Sequence, residues 1–365
     1  EIWQDNSLAR PYFKDPDGGL KAFDFAVANP PFSAKAWSNG FSPAYDEFGR
    51  FVWGIPPEKN GDYAFLLHLI KSLKSKGKGA IILPHGVLFR GHKEANIRKQ
   101  LCRRGFIKGI IGMPANLFYG TGIPACILII DKEEAAHRQG IFMIDASRGY
   151  IKDGNKNRLR SQDIHKIVDV FNKQTQWPGY SRWVPLRELA ANDFNLNIPR
   201  YIDASEPEDQ QDLQAHLHGG IPQSDVDALQ EYWTVFPSLR AELFRDNRQV
   251  GYVEPVLAPD EVKPAILEHA EFTRFANQVR AMVEEWQQAH REHLWRLDAQ
   301  TVPKEMIRSL SEDLLARFKE APLLNRYDVY QQLMDYWAEV MQDDVYLVVA
   351  EGWLEAARPR PIIKD

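Results

Sequence analysis

Cysteine is almost absent from this chain: 365 residues hold two, Cys102 in a basic amphipathic stretch and Cys126 in an apolar run. Neither belongs to a CxxC or Cys/His cluster, so no disulfide framework and no metal site are expected, and a reducing cytoplasm is the compartment that fits. Long apolar runs are missing as well. Nothing approaches the roughly 18 residues a membrane helix needs, and Glu1-Ile2-Trp3-Gln4-Asp5 shows no basic region followed by a hydrophobic one. A membrane partner and export are therefore not expected. No internal repeat and no low-complexity tract occurs. An initiator methionine is lacking too, and the chain opens shortly before a strand-like run, so it reads as a piece of a longer polypeptide.

What is present is ordinary globular material, 44% hydrophobic and 26% charged, long enough for two domains. The net charge of -5 conceals an asymmetry: Glu1 to Arg200 carries 29 Lys and Arg against 19 Asp and Glu, and the remainder 16 against 31. A basic front half is suited to a polyanion and an acidic rear half is not. Eleven basic residues and one acid, Glu94, fall between Lys71 and Lys108. That run reads either as a solvated helix face or as phosphate contact, and both readings stay open.

Along the front half, apolar runs alternate with helical periodicity. Phe23 to Ala28 reads as a buried strand stopped by Asn29-Pro30-Pro31. Tyr63 to Leu73 reads as a helix with Asp62 as its cap and Gly77 as its stop, Gly79 to Pro84 as a strand, Glu94 to Arg104 as a helix and Phe106 to Gly112 as a strand. This rhythm predicts an α/β fold with a parallel sheet covered by helices. Ala125 to Ile130 and Ile141 to Ile144 follow without a helix between them and are expected to form a hairpin on the sheet edge. Ser161 to Asn172 reads as a capped helix, and Asn192 to Tyr201 as a loop or short strand. An acidic linker is expected at Ala204 to Asp209. Beyond it the pattern is helical, with an apolar stripe at Phe272, Phe275, Val279, Met282, Val283 and Trp286. A second stripe is Tyr330, Leu333, Met334, Trp337 and Met341, and both are read as core.

The segment with chemical content is Asn29-Pro30-Pro31-Phe32, placed at the carboxyl end of a strand. Proline rings fix φ, remove competing N-H donors and disfavour helical geometry before each ring, so the carbonyl of Pro30 can be held towards a pocket. An exocyclic amine of a nucleobase is a poor nucleophile because its lone pair is delocalised. Two acceptors taking both of its hydrogens, the Asn29 side-chain oxygen and the Pro30 carbonyl, favour a tetrahedral and more nucleophilic nitrogen. Phe32 offers a flat face for a base rotated out of a duplex. Taken alone, Asn-Pro-Pro is also a plain turn signal. His85 could be taken for a general base, but no acid or nucleophile accompanies it and a structural hydrogen bond is the better reading.

Phe23 to Ser33 resembles motif IV of the gamma-class amino-methyltransferases, and more narrowly that of the methylation (M) subunit of type I restriction-modification systems, a family of adenine-N6 DNA methyltransferases. The narrower likeness extends through Arg50-Phe51, Gly54 to Pro57, Gly61 to Phe65, Leu83 to Gly91, Asn116 to Ala125 and Asn195 to Tyr201. It is strong to about Asp203; Gly219 to Pro222 and Asp335 to Trp337 are similar to segments of the longer members.

The resemblance implies a Rossmann-like methyltransferase sheet, here its carboxy-terminal part with the early strands missing, followed by a mainly helical domain. The implied domains are a catalytic one at 1–145, a connecting or docking region at 146–205 and an acidic helical domain at 206–365. It further implies S-adenosylmethionine as co-substrate, with Asp5 similar to the acid that accepts from the donor's adenine amine. The glycine-rich loop that grips the donor in that fold is absent, and Gly120-Thr121-Gly122 does not replace it. Asn29, Pro30, Pro31 and Phe32 are the implied catalytic residues, and Lys35, Arg90, Phe118 and Tyr119 are candidates for contact with DNA or the target base. The implied partners are double-stranded DNA, a specificity (S) subunit, a second methylation subunit and a restriction (R) subunit. Two other readings compete: a protein glutamine-N5 methyltransferase, whose motif carries Tyr in place of Phe32, and a fragment that lacks the donor site and serves as a docking module.

Overall fold

The computed structural model describes residues 2–205 and 211–359, which fall in two compact units, Glu1–Glu206 and Pro207–Asp365. Of the expected linker, 206–209 lie outside the described residues.

The first unit is built on a six-stranded sheet. Its elements in chain order are β1 (Phe23–Ala28), α1 (Asp62–Lys71), β2 (Leu73–Pro84), α2 (His92–Arg103), β3 (Ile107–Gly112), β4 (Ala125–Asp131), β5 (Gly140–Asp145), β6 (Ile151–Asp153), β7 (Lys156–Arg158), α3 (Ser161–Lys173), β8 (Ser181–Pro185) and α4 (Leu186–Ala191). The spatial order is β1-β2-β4-β3-β5-β8, with β6 and β7 forming a separate two-stranded ribbon. β1 runs parallel to β2 and β3 to β5, whereas β4 is antiparallel to both of its neighbours and β8 is antiparallel to β5.

The sheet is therefore mixed, not parallel as the alternation predicts. The expected edge hairpin of Ala125 to Ile130 with Ile141 to Ile144 does not form either. β4 instead lies inside the sheet between β2 and β3, and β5 adds to the far side of β3. The side chains give the reason. Leu128 and Ile130 enter the core on one face, and Ile127 and Ile129 pack on the other. A strand apolar on both faces is stable only at an interior position.

Period-two alternation sorts the strands between two layers. Ile81, Leu83, Ile110 and Met143 face the larger core with Leu66, Ile70, Ile97 and Leu101 of α1 and α2. Ile111, Phe142 and Ile144 face a smaller core with Ile167 and Val170 of α3. Residues 146–205, expected as a connecting or docking region, add β8 to the sheet and lay α3 and α4 against its cores. Together these elements make a Rossmann-like α/β sheet of mixed strand direction, followed by a mainly helical unit.

β1 is an edge strand rather than a buried one. Its Ala26 and Ala28 pack on the larger core, but Phe25 is 76% and Val27 83% exposed, because the α3 layer does not extend across β1. β2 is also longer than the apolar run suggests, twelve residues beginning at Leu73. α1 stops at Lys71, before Gly77 is reached.

In the second unit the helix Ala270–Trp295 serves two cores. Phe272 and Phe275 pack with Trp233, Phe236 and Leu239, while Val279, Met282, Val283 and Trp286 pack with Leu310, Leu314, Phe318, Leu333 and Trp337. A small antiparallel sheet of Phe244–Asp246, Tyr252–Pro255 and Ile221–Pro222 accompanies the helices of this mainly helical unit. No helix among the described residues is long and apolar enough to cross a membrane.

Candidate active site

β1 delivers Asn29 to one end of the sheet. The carboxyl ends of β2, β3 and β5 and the start of β4 lie at that same end, as the strand directions require. Ligands of open α/β sheets bind outside such carboxyl ends. There a cleft of 630 Å3 opens, lined on one side by Asn29, Pro30, Pro31, Phe32 and Ser33 and on the other by Phe118, Tyr119, Gly120, Thr121 and Ile123. Its size is in the range of small-molecule sites. Asn29 and Pro31 are exposed and Pro30 is buried. The rings of Phe32 and Phe118 meet edge to face with centroids 5.6 Å apart at 68°.

What holds this loop is a buried carboxylate. Asp62 is fully buried at the start of α1, where it accepts the backbone N-H of Ser33 at 2.7 Å and the Arg90 guanidinium at 2.7 Å. It is not the helix cap, which is Gly61. Ser33 sits at φ 52°, a left-handed conformation unusual for serine, so its amide is fixed by an outside partner where local sterics do not favour it. Gly61 also approaches Trp37 so closely that a Cβ there would lie 2.6 Å from the Trp37 Cβ, and its N-H donates to the Ala34 carbonyl at 3.0 Å. The amino end of α1 is thus fastened directly to the chain leaving Phe32.

Arg90 also reaches Glu94 at 3.4 Å, and the second oxygen of Glu94 is buried without a hydrogen-bond partner. Burial pushes the Glu94 carboxyl above its ordinary value, against the pull of Arg90. Arg98, buried, donates to the carbonyls of Val87, Arg90 and Phe194, while Tyr63 donates to that of Val87. The 85–90 loop is therefore supported from beneath. His85 lies in it, its imidazole held below the ordinary value by burial, with Asp145 pulling the other way.

The other expected site residues are placed as follows. Phe118 stands against Phe32, and Tyr119 is 94% exposed at the cleft lip. Lys35 is exposed but outside the lining of the cleft. Arg90 turns its guanidinium onto Asp62 and Glu94 and is not an open cation. The Lys71 to Lys108 run is not one basic face. Lys74, Lys78 and Lys108 pair with Asp24, Glu133 and Asp131 at the opposite end of the sheet from Asn29, Arg98 is buried, and Lys99 and Arg103 lie over the Phe194 ring. Helix, strand and loop distribute the run around the unit.

Asp5 binds Arg10 at 2.9 Å and the Asn6 N-H at 2.7 Å beside a hollow of 120 Å3 that is also lined by Trp3, Tyr12, Phe13 and His68. That volume is well below the roughly 300 Å3 at which ligand pockets begin.

Sequence reasoning did not identify Asp62 as a support of the loop, because an acid at a helix start reads as a cap. It also missed Lys156 on β7, which donates to the carbonyls of Phe118 at 2.7 Å and Thr121 at 3.1 Å from 35 or more positions away. No local signal marks such a partner.

Residues 1–210 match the model of the N-6 DNA Methylase family. A type I restriction enzyme methylase subunit of Methanocaldococcus jannaschii (MjaVII) is 33% identical over 60% of this chain and 38% of its own length. The HindI methylase subunit of Haemophilus influenzae is 30% identical over 66% of this chain and 54% of its own. Among solved structures, a methyltransferase subunit of a type I restriction-modification system from Streptococcus thermophilus matches with 36% identity and a TM-score of 0.49, covering 54% of this chain and 41% of the other. The chain spans about a third to a half of the length of the curated relatives it matches.

Proposed function

Because this chain belongs to the N-6 DNA methylase family, we propose that it carries the target-base half of the methylation subunit of a type I restriction-modification system. The reaction is transfer of a methyl group to N6 of an adenine rotated out of duplex DNA, with S-adenosylmethionine as the donor the family implies. The observation that carries this reading is the placement of Asn29 and Pro30 at the lip of an open cleft walled by two phenylalanine rings.

In this reading the Asn29 side-chain oxygen and the Pro30 carbonyl accept the two hydrogens of the adenine amine. Both acceptors are neutral, so the nitrogen lone pair is localised without a strong base. Phe32 stacks on the purine, and Phe118 buttresses Phe32 from its edge. Tyr119, on the opposite lip, is free to contact the strand from which the base has left. Asp62 keeps the loop in register through Ser33 and touches no reacting atom.

The acidic rear unit is read as the docking surface for the specificity subunit, and through it for a second methylation subunit and the restriction subunit, since its charge disfavours phosphate. DNA then meets the front unit alone.

The deciding experiment is tritiated-methyl transfer to DNA by the full-length protein assembled with its specificity partner, beside an Asn29→Ala variant. Transfer reduced by about 100-fold or more with DNA affinity retained is the expected result. Undiminished transfer by Asn29→Ala overturns the reading.

A further inference from the structure

The wall of the cleft facing Asn29 has no regular structure of its own, yet it is anchored. Residues 113–124 join β3 to β4, and two consecutive residues of β7 grip their backbone. Lys156 Nζ donates to the carbonyls of Phe118 and Thr121 at 2.7 and 3.1 Å. Asn157 donates its N-H to the Asn116 carbonyl at 2.9 Å and its amide nitrogen to the Ala115 carbonyl at 2.7 Å. Four carbonyls between Ala115 and Thr121 are thereby held from the side of the β6–β7 ribbon, while Phe118 and Tyr119 line the cleft. Asn157 is buried, whereas Lys156 is half-buried, so the lysine can be altered without opening a core.

A loop pinned at two carbonyls by one ammonium loses both bonds when that group is removed, and bonds to a charged donor are stronger than neutral ones. The position of Phe118, and through its edge contact that of Phe32, then follows the lysine. The structure assigns to Lys156 the role of a positioning residue: it sets the distance between the wall carrying Phe118 and Tyr119 and the loop carrying Asn29, and so the grip on the extruded base. This rests on the reading of the cleft as the target-base site. Lys156 does not touch the base; it acts through the loop it holds.

The test uses the full-length protein assembled with its specificity partner and, as substrate, enzymatically amplified and hence unmodified chromosomal DNA. Lys156→Met removes the donor at nearly constant length, Lys156→Arg keeps it, and Asn29→Ala is run alongside. For Lys156→Met the expected results are a kcat lowered by about tenfold or more, since displacement of a positioning group by about 1 Å can cost up to 100-fold, and a KM for DNA within about twofold of wild type. Hydrogen exchange should rise at the amides of residues 116–121 and nowhere else, at an unchanged melting temperature. Lys156→Arg should recover most of the rate.

Wild-type kcat in Lys156→Met overturns the inference, as does a rate loss accompanied by a lower melting temperature and exchange spread over the sheet, which would make the lysine a general stabiliser. Undiminished transfer by Asn29→Ala overturns the reading beneath it, whatever Lys156→Met does. Loss in Asn29→Ala with none in Lys156→Met sinks only the positioning role.

Discussion

The Ser33 amide donates to the Asp62 carboxylate at 2.7 Å across 29 positions of sequence, and this one bond ties the exit of the Asn29-Pro30-Pro31-Phe32 loop to the first turn of α1. The same carboxylate holds Arg90, so a strained residue, a helix start and the 85–90 loop share a single buried anion.

Replacing Asp62 with alanine leaves the Ser33 N-H without its acceptor and the Arg90 guanidinium with only the longer contact to Glu94. Removing one partner of a buried charge pair costs about 3 kcal/mol or more. Urea unfolding should show that loss, and Asp62→Asn, which keeps an acceptor for Ser33, should retain more stability than Asp62→Ala. Equal stabilities of the two variants would mean that the carboxylate does not support the loop.

The edge contact of Phe32 with Phe118 should appear as a coupling. In a double-mutant cycle with Phe32→Ala and Phe118→Ala, the interaction free energy of unfolding should be about 0.5–1.5 kcal/mol. Strict additivity would show that the rings do not support each other.

Tyr119, nearly fully exposed, contributes little to folding. Tyr119→Ala should leave stability within about 0.5 kcal/mol of wild type while weakening methyl transfer or DNA binding severalfold. An unaltered KM and kcat would remove Tyr119 from the site.

His68 gives a pH dependence of stability. Burial and the neighbouring Arg50 hold its imidazole down to about 4, with Asp46 opposing. In the unfolded chain it titrates near 6.5, so between those values the unfolded state binds the extra proton and is favoured as pH falls. The contribution is complete above about pH 6.5 and is lost on the way to pH 4, on the order of 3 kcal/mol in all. Urea unfolding at pH 4 to 7 should show a steeper slope for wild type than for His68→Gln; identical slopes would refute the assignment.

The sequence reveals its chemistry in short segments and conceals its architecture in long-range ones. Asn29-Pro30-Pro31-Phe32 and the Phe118-Tyr119 pair are local patterns, and both line the same cleft. The strand and helix positions follow from periodicity, with helix ends within a few residues. Strand direction does not: nothing in Ala125 to Asp131 states that it runs against both neighbours, and only its two apolar faces point to an interior place. Charge patterning leaves partners unseen for a related reason. Lys74, Lys78, Arg90 and Lys108 look like one basic run in the sequence, yet each pairs with an acid brought to it by the fold. Asp62, buried and shared between two loops, is indistinguishable in sequence from an ordinary helix cap.

The reversed course of β4 gives the two jaws of the cleft different supports. One jaw is the short exit of β1, bound to the rigid start of a helix; the other is a β3–β4 hairpin loop whose ends are fixed by adjacent paired strands. Lengthening a hairpin loop costs only about 0.6 kcal/mol per doubling. Chain entropy therefore does not set the length of the second jaw; the grip of Lys156 and Asn157 on its carbonyls and the contact of Phe118 with Phe32 do.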